Sequence, residues 1–218
     1  MKTFIDTLFS ASVDPVFVGV NCVLVYGAGH TGHLVAQCLL SHDIEVRAFL
    51  DQQATPGKIT NGIPVLCVEH AKDLVNLPVI VAVFNPHRGA RYSDIEHNLN
   101  RMGFASVCSL ERFYISYPHY FPKIYWLANP EFYKDRVDEL TAVDQLWADE
   151  RSRSLYRALI AYRITGESNQ LPVPDPLEAQ YLPDDVPFEK SGLHFVDIGA
   201  YDGDTLEAFR ANKIPLKM

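Results

Sequence analysis

CVLVYGAGHTGHLVAQCLL, residues 22–40, decides the architecture. Its first five residues, Cys22 to Tyr26, are apolar without interruption. That is the pattern of a strand buried on both faces of a parallel sheet. The run stops at glycine, and Gly27, Gly29 and Gly32 follow in the spacing G-x-G-x-x-G. Leu34, Val35, Cys38 and Leu39 then recur at helical intervals. Only this order of buried strand, glycine turn and helix gives the spacing a meaning.

The same alternation extends outward. Residues 2–10 read as a short amphipathic helix, with Phe4 and Leu8 on one side and Ile5 and Phe9 beside them. EVRAFLD (45–51) reads as a second strand, IPVLCV (63–68) as a third, VIVAVF (79–84) as the clearest and ASVCSL (105–110) as the last. Residues 71–75 begin a helix. IEHNLNRMGF (95–104) is another, closed by Gly103, the residue type favoured just past a helix end. Alternating strands and helices imply a parallel α/β sheet with right-handed crossovers. The reading is a Rossmann-like domain over 1–115, a helical connector over 116–170, and a third segment over 171–218. The connector opens with the aromatics Tyr114, Tyr117, Tyr120, Phe121, Tyr125, Trp126, Phe132 and Tyr133, read as packing rather than as a ligand platform. Helical patterns over 131–149 and 152–165 complete it. Five prolines (172, 174, 176, 183 and 187) mark 171–188 as extended linker. HFVDIG (194–199) then reads as the first buried strand of an incomplete second α/β domain, followed by a helix over 205–213.

Composition narrows the function classes. The chain has 218 residues, 48% hydrophobic and 21% charged, which is ordinary for a soluble globular protein. No 18-residue apolar run is present, so no membrane partner is expected. The N-terminus lacks the unbroken apolar core of a signal peptide. The formal net charge is −8, the wrong sign for a phosphate backbone, which excludes nucleic acid as a partner class. Cys22, Cys38, Cys67 and Cys108 form no C-x-x-C pair and sit in apolar stretches. They read as reduced, buried residues of a cytoplasmic protein, with no metal site.

The glycine loop carries the first chemical message. One glycine makes the tight turn, the second admits a phosphate to the backbone, and the third lets helix and strand pack closely. His30 and Thr31 open the helix, where unpaired amides favour an anion. Asp51 lies 19 residues beyond Gly32, at the end of the second strand, where a carboxylate would meet ribose hydroxyls. Gly27, Gly29, His30, Thr31, Gly32 and Asp51 are therefore candidates for binding a nucleotide or dinucleotide. The alternative is that the glycines serve only the turn. Dehydrogenase chemistry is not expected: no Tyr-x-x-x-Lys pair occurs, and neither His30 nor His33 is placed as a proton donor. VYGAGHTG, FLDQ and NGIPVL (61–66) resemble the Rossmann-like N-terminal modules of sugar-modifying enzymes, including some sugar acetyltransferases. The hexapeptide repeats of those acetyltransferases do not occur here.

The second message is FVDIGAYDGDT, residues 195–205. This string resembles the first motif of the FkbM-type family of S-adenosylmethionine-dependent methyltransferases, D-x-G-A-x-x-G-x-T, and matches it at every fixed position. Some members also carry an N-terminal Rossmann-like module and a helical connector. The resemblance implies S-adenosylmethionine as cofactor, held by Asp197, Gly199, Ala200, Tyr201, Asp202, Gly203 and Thr205. Asp197 would face the methionine ammonium, the glycines would wall the loop, and Thr205 would cap the helix. Residues 171–218 carry nine acidic and four basic side chains, a balance suited to a cationic sulfonium ligand. The implied reaction is O-methyl transfer to a small-molecule acceptor, a sugar or related metabolite. No catalytic base is identified, and His194 reads as structural.

Only 21 residues follow Asp197, whereas a methyltransferase sheet needs about 100 more. The expectation is therefore the front portion of a longer enzyme, truncated and inactive by itself, with exposed apolar surface that suits a homo-oligomer. The alternative is a non-catalytic module that binds a nucleotide or nucleotide sugar.

Overall fold

The computed structural model describes residues 3–10, 15–83, 91–124, 126–173, 194–200, 203–214 and 216. The chain divides into two compact units, Met1–Leu171 and Pro172–Met218.

The first unit is built on a six-stranded sheet. Its strands are β1 (Cys22–Tyr26), β2 (Glu45–Leu50), β3 (Ile59–Thr60), β4 (Ile63–Leu66), β5 (Val79–Val81) and β6 (Val107–Ser109). The order across the sheet is β3-β4-β2-β1-β5-β6. All neighbours are parallel except β3 and β4, which form an antiparallel hairpin. That hairpin turns at Asn61 and Gly62, both with positive φ (51° and 79°), the backbone that an Asn-Gly pair favours in a two-residue turn. This pair stood in the quoted NGIPVL, yet the hairpin was not expected.

Strand parity sorts the core into two layers. Val23 and Val25 face one side of the sheet with Val65, Ile80 and Cys108. Leu24 and Tyr26 face the other with Val79 and Val81. In β2 the parity breaks: the register with β1 skips Arg47. Val46 and Phe49 therefore share the first face, and Ala48 and Leu50 the second. The exposed Arg47 is the extra residue of the bulge.

Helices α2 (His30–Leu40) and α4 (Leu110–Ser116) cover the first face, and α3 (Tyr92–Arg101) the second. α3 ends as Gly103 predicts. Gly103 has φ 99°, its amide donates to Asn100 O, and Phe104 N–H donates to Leu99 O, which is the Schellman arrangement. The helix expected from residue 71 is replaced by two 3₁₀ turns, Val68–His70 and Lys72–Leu74. The two turns bury Val68 and, between them, Ala71 against the second face of the sheet.

The connector helices α5 (Pro130–Lys134), α6 (Val137–Leu146) and α7 (Glu150–Thr165) pack within the first unit. The N-terminal helix α1 (Phe4–Ser10) joins them. Its Ile5 is buried with Tyr133, Ile160 and Ile164 in a separate small core. Thr3 and Asp6 cap α1 reciprocally, Asp6 N–H donating to Thr3 Oγ1 and Thr3 N–H to Asp6 Oδ2. α7 and the residues just past it are fastened to α4 by several contacts. Tyr162 donates its hydroxyl to Glu111 (2.6 Å), Arg112 pairs with Glu167 (3.0 Å), and Gly166 lies against the Arg112 backbone.

In the second unit, α8 (Asp204–Ala211) forms as expected, with Phe209 against Phe195 at 4.7 Å. The strand expected over 194–199 does not. Residues 194–197 carry no strand, and Val196 and Ile198 are 82% and 95% exposed. A buried parallel strand needs ladder partners and covered faces, and residues 194–199 have no ladder partner among the described residues. Residues 174–188 of the expected linker (171–188), residues 189–193, Tyr125, Phe84 and the tail residues 215, 217 and 218 lie outside the described residues.

Cys38 and Cys108 are buried, whereas Cys22 and Cys67 are only partly so, a correction to the expectation of four buried thiols. The two lie at the ends of β1 and β4, where the sheet opens to solvent. No described helix is long and apolar enough to cross a membrane.

Candidate functional site

β1 is the point where the sheet order reverses: the chain runs outward to β2 and β4, then returns to β5 on the other side. In open α/β sheets the carboxyl end of that strand is where ligands bind. The glycine loop sits there, between Tyr26 and α2.

The three glycines have separate physical reasons. Gly27 has φ 104°, and a Cβ there would stand 3.1 Å from Val83 Cγ2. A Cβ on Gly32 would stand 1.9 Å from the carbonyl oxygen of Gly27, so only glycine lets α2 close on the loop. Gly29 is different. It is the N-cap of α2, in extended backbone, and no described atom lies within 4 Å of a Cβ built on it. Protein packing therefore explains glycine at 27 and 32 but not at 29. His30 is exposed at the first position of α2, and Thr31 is buried.

Asp51 joins this loop by its side chain. Ala28 N–H donates to Asp51 Oδ2 at 3.0 Å, and Gln53 N–H donates to Oδ1 at 2.8 Å. The carboxylate thus braces the glycine loop against the end of β2. Beside it lie residues that the spacing of the motif did not reveal: Tyr26, Gln52, Cys67 and Glu69. Burial pushes the Tyr26 phenol above its usual range, a hydrogen bond with Gln52 opposes this, and the charges of Asp51 and Glu69 push it further up. The Cys67 thiol donates to Glu69 at 2.5 Å, and this bond holds the thiol protonated and Glu69 below the usual carboxylate range. All four occupy or follow strand ends, the one signal in the sequence that could have found them. The edge is acidic and rich in acceptors, suited to hydroxyl groups.

The second unit brings the other candidates into one loop. Asp197 is half-buried, and its Oδ2 is enclosed with no hydrogen-bond partner among the described residues. Gly199 and Gly203 have φ of 91° and 89°, and no described atom lies within 4 Å of a Cβ at either. Gly203 N–H donates to Ala200 O at 2.6 Å, closing the turn. Thr205 is not the cap. Gly203 is the N-cap and Thr205 lies inside the helix, its amide donating to Asp204 Oδ1. The left-handed backbone at Gly203 starts the helix earlier than the threonine's position implied. Tyr201 and Asp202 lie outside the described residues.

These features define a Rossmann-like α/β protein whose glycine loop lies at the sheet's switch point. No family model matches the chain, and no curated protein matches it. A solved structure does: a methyltransferase FkbM from Methylobacillus flagellatus KT, with TM-score 0.72 and 15% sequence identity over 98% of this chain. At that identity the likeness is one of fold. The chain spans 60% of the length of that structure.

Proposed function

We propose that this chain supplies the N-terminal Rossmann-like module and the cofactor loop of an FkbM-type S-adenosylmethionine-dependent methyltransferase. The single observation that carries the reading is that the FkbM fold likeness extends over nearly the whole chain, which also contains D-x-G-A-x-x-G-x-T at 197–205. The residues present suit the cofactor. The enclosed oxygen of Asp197, without a hydrogen-bond partner among the described residues, is an acceptor for an ammonium group. Gly199 and Gly203 leave the loop backbone open to a ligand's approach. The cofactor supplies an electrophilic methyl group. The chain's own part is to hold the amino-acid end at Asp197 and to keep the loop open by its two left-handed glycines. The acceptor in this reading is a hydroxyl of a sugar or related metabolite.

Binding of S-adenosylmethionine by calorimetry tests the reading, on the purified chain and on any longer product of its gene. The expected result is saturable binding that Asp197→Ala weakens by about ten- to a hundred-fold, the worth of one hydrogen bond between charged groups. Absence of binding in every folded form overturns it.

Gly29 favours a second reading, a nucleotide-binding role for the first unit. It is the glycine that packing does not require, at the place where a phosphate would touch the backbone.

A further inference from the structure

α7 has two apolar sides. One is buried: Ile160 and Ile164 lie in the small core with Ile5 and Tyr133. The other faces solvent. Arg151, Leu155, Leu159 and Arg163 recur at intervals of four, which sets them in one ridge on the side of the helix away from Ile160 and Ile164. All four are exposed, Leu155 by 43% and Leu159 by 40%. A helix with apolar residues on both sides belongs between two neighbours, and the described residues cover one side.

The ridge has the composition of a contact surface. Tyr162 and Trp126 extend it: their rings are 5.3 Å apart, and the Arg163 guanidinium stands over the Trp126 ring at 5.6 Å. Trp, Tyr and Arg are the residue types that carry binding energy at interfaces, whereas Lys and Glu are depleted there. Along α7 the ridge and its flanks, Ser152, Ala158 and Tyr162, hold no lysine and no carboxylate. Glu111, beside Tyr162, already accepts that residue's hydroxyl (2.6 Å).

The arginines of α7 divide in the same way. Arg153 pairs with Glu150 (3.3 Å) and Arg157 with Asp144 (2.7 Å). Arg151 and Arg163 have no ion pair among the described residues. Two cations thus stand without a carboxylate at the ends of an apolar ridge about 18 Å long. They do so on a chain whose net charge is −8.

We infer that this ridge docks an acidic amphipathic helix of a partner protein. Two apolar residues of that helix meet Leu155 and Leu159, and a carboxylate at each end meets Arg151 and Arg163. A second copy is the wrong occupant: twofold pairing of the ridge with itself sets Arg151 of one copy against Arg163 of the other at both ends. An anionic lipid surface is repelled by the chain's negative charge. No residue of either glycine loop takes part, so the inference stands apart from both functional readings.

The probe is a helical peptide of about 20 residues, capped at both ends, with Glu, Leu, Leu and Glu at intervals of four on an alanine and glutamine background. It is titrated into the ¹⁵N-labelled chain, and the amide shifts of Arg151, Leu155, Leu159 and Arg163 are followed. The expected Kd is about 1 mM or tighter, and a peptide with Gln in place of Glu is expected to bind about tenfold more weakly, the worth of two exposed ion pairs. The double variant Arg151→Glu, Arg163→Glu changes only exposed positions. It is expected to reverse the preference, losing the Glu peptide and binding a Lys peptide of the same design. Leu159→Ser is expected to weaken every peptide about tenfold. The inference is overturned by any of three results with the peptides: no saturable shift on α7, equal affinity for the Glu and Gln peptides, or a double variant that keeps the Glu peptide. Shifts of the same amides on diluting the chain alone would overturn it in favour of a second copy. Binding to phosphatidylserine–phosphatidylcholine vesicles that the double variant loses would overturn it in favour of a membrane.

Discussion

Asp51 Oδ2 accepts a hydrogen bond from the amide of Ala28 at 3.0 Å, across 23 residues of sequence. The carboxylate that the motif assigns to a ribose is thus also a brace between the ends of β1 and β2. Removing it leaves two backbone amides without their acceptor, those of Ala28 and Gln53. Asp51→Ala is expected to cost about 1–2 kcal/mol, since the acceptor is charged but half-exposed. Thermal melting should show a midpoint several degrees lower. Asp51→Asn retains one acceptor oxygen and should lose less. Equal stability of all three proteins would show that the brace is idle.

The two helix-side glycines separate folding from binding. Gly32→Ala places a methyl group 1.9 Å from the Gly27 carbonyl oxygen, so backbone must move. The expected cost is about 3 kcal/mol or more. Gly29→Ala meets no described atom and should alter stability by less than about 0.5 kcal/mol. If the first unit binds a nucleotide, Gly29→Ala should nevertheless weaken that binding. Urea unfolding and nucleotide titration on the same two variants check both halves of the prediction.

Gly166 does for α7 what Gly32 does for α2. Its φ is 74°, and a Cβ would stand 2.7 Å from Arg112 Cα. Gly166→Ala is expected to destabilise the first unit by about 2–4 kcal/mol through strain and overpacking together. Tyr162→Phe removes the hydrogen bond to Glu111 alone and should cost about 1 kcal/mol. A Gly166→Ala protein with wild-type urea midpoint would contradict the packing described.

Asp144 and Arg157 tie α6 to α7 by two parallel hydrogen bonds of 2.8 and 2.7 Å. The Arg157 guanidinium holds Asp144 below the usual carboxylate range, against the opposing effect of burial. A depressed carboxylate stabilises the fold fully above its unfolded value, near 3.9, and loses that contribution as pH falls through the folded value. Asp144→Asn should therefore cost about 1 kcal/mol at neutral pH. Melting curves of the two proteins should converge below about pH 4. A gap that persists or widens in acid would refute the assignment.

What the sequence made legible follows from the range of the forces involved. Cys22 to Leu40 was readable because strand, turn and helix are adjacent, and Gly32 answers to Gly27 only five residues away. Gly103 was readable for the same reason. Residues 194–199 had the same local pattern as 22–27 but not the same outcome, because strand formation depends on partners that no local pattern contains. Asp51 shows a mixed case. Its position after β2 was visible, while its bond to Ala28 required the two strand ends to be side by side. Tyr162 and Glu111 lie on helices 51 residues apart in the chain, and nothing in either neighbourhood marks them as a pair.

The burial of Ile5 beside Ile160 and Ile164 bears on how the chain is made. A seven-residue helix does not hold together in water. α1 must therefore wait, unstructured, until the ribosome has delivered α7 and released it. α1 is synthesised about 140 residues before α7, yet finds its place only after it. The sheet between them can assemble as it emerges, but the helical corner closes only once α7 has emerged, and its contacts span most of the first unit. Such long-range closure slows folding. During that delay Phe4, Ile5 and Leu8 stand exposed on the nascent chain, a natural target for the chaperones that meet new proteins at the ribosome.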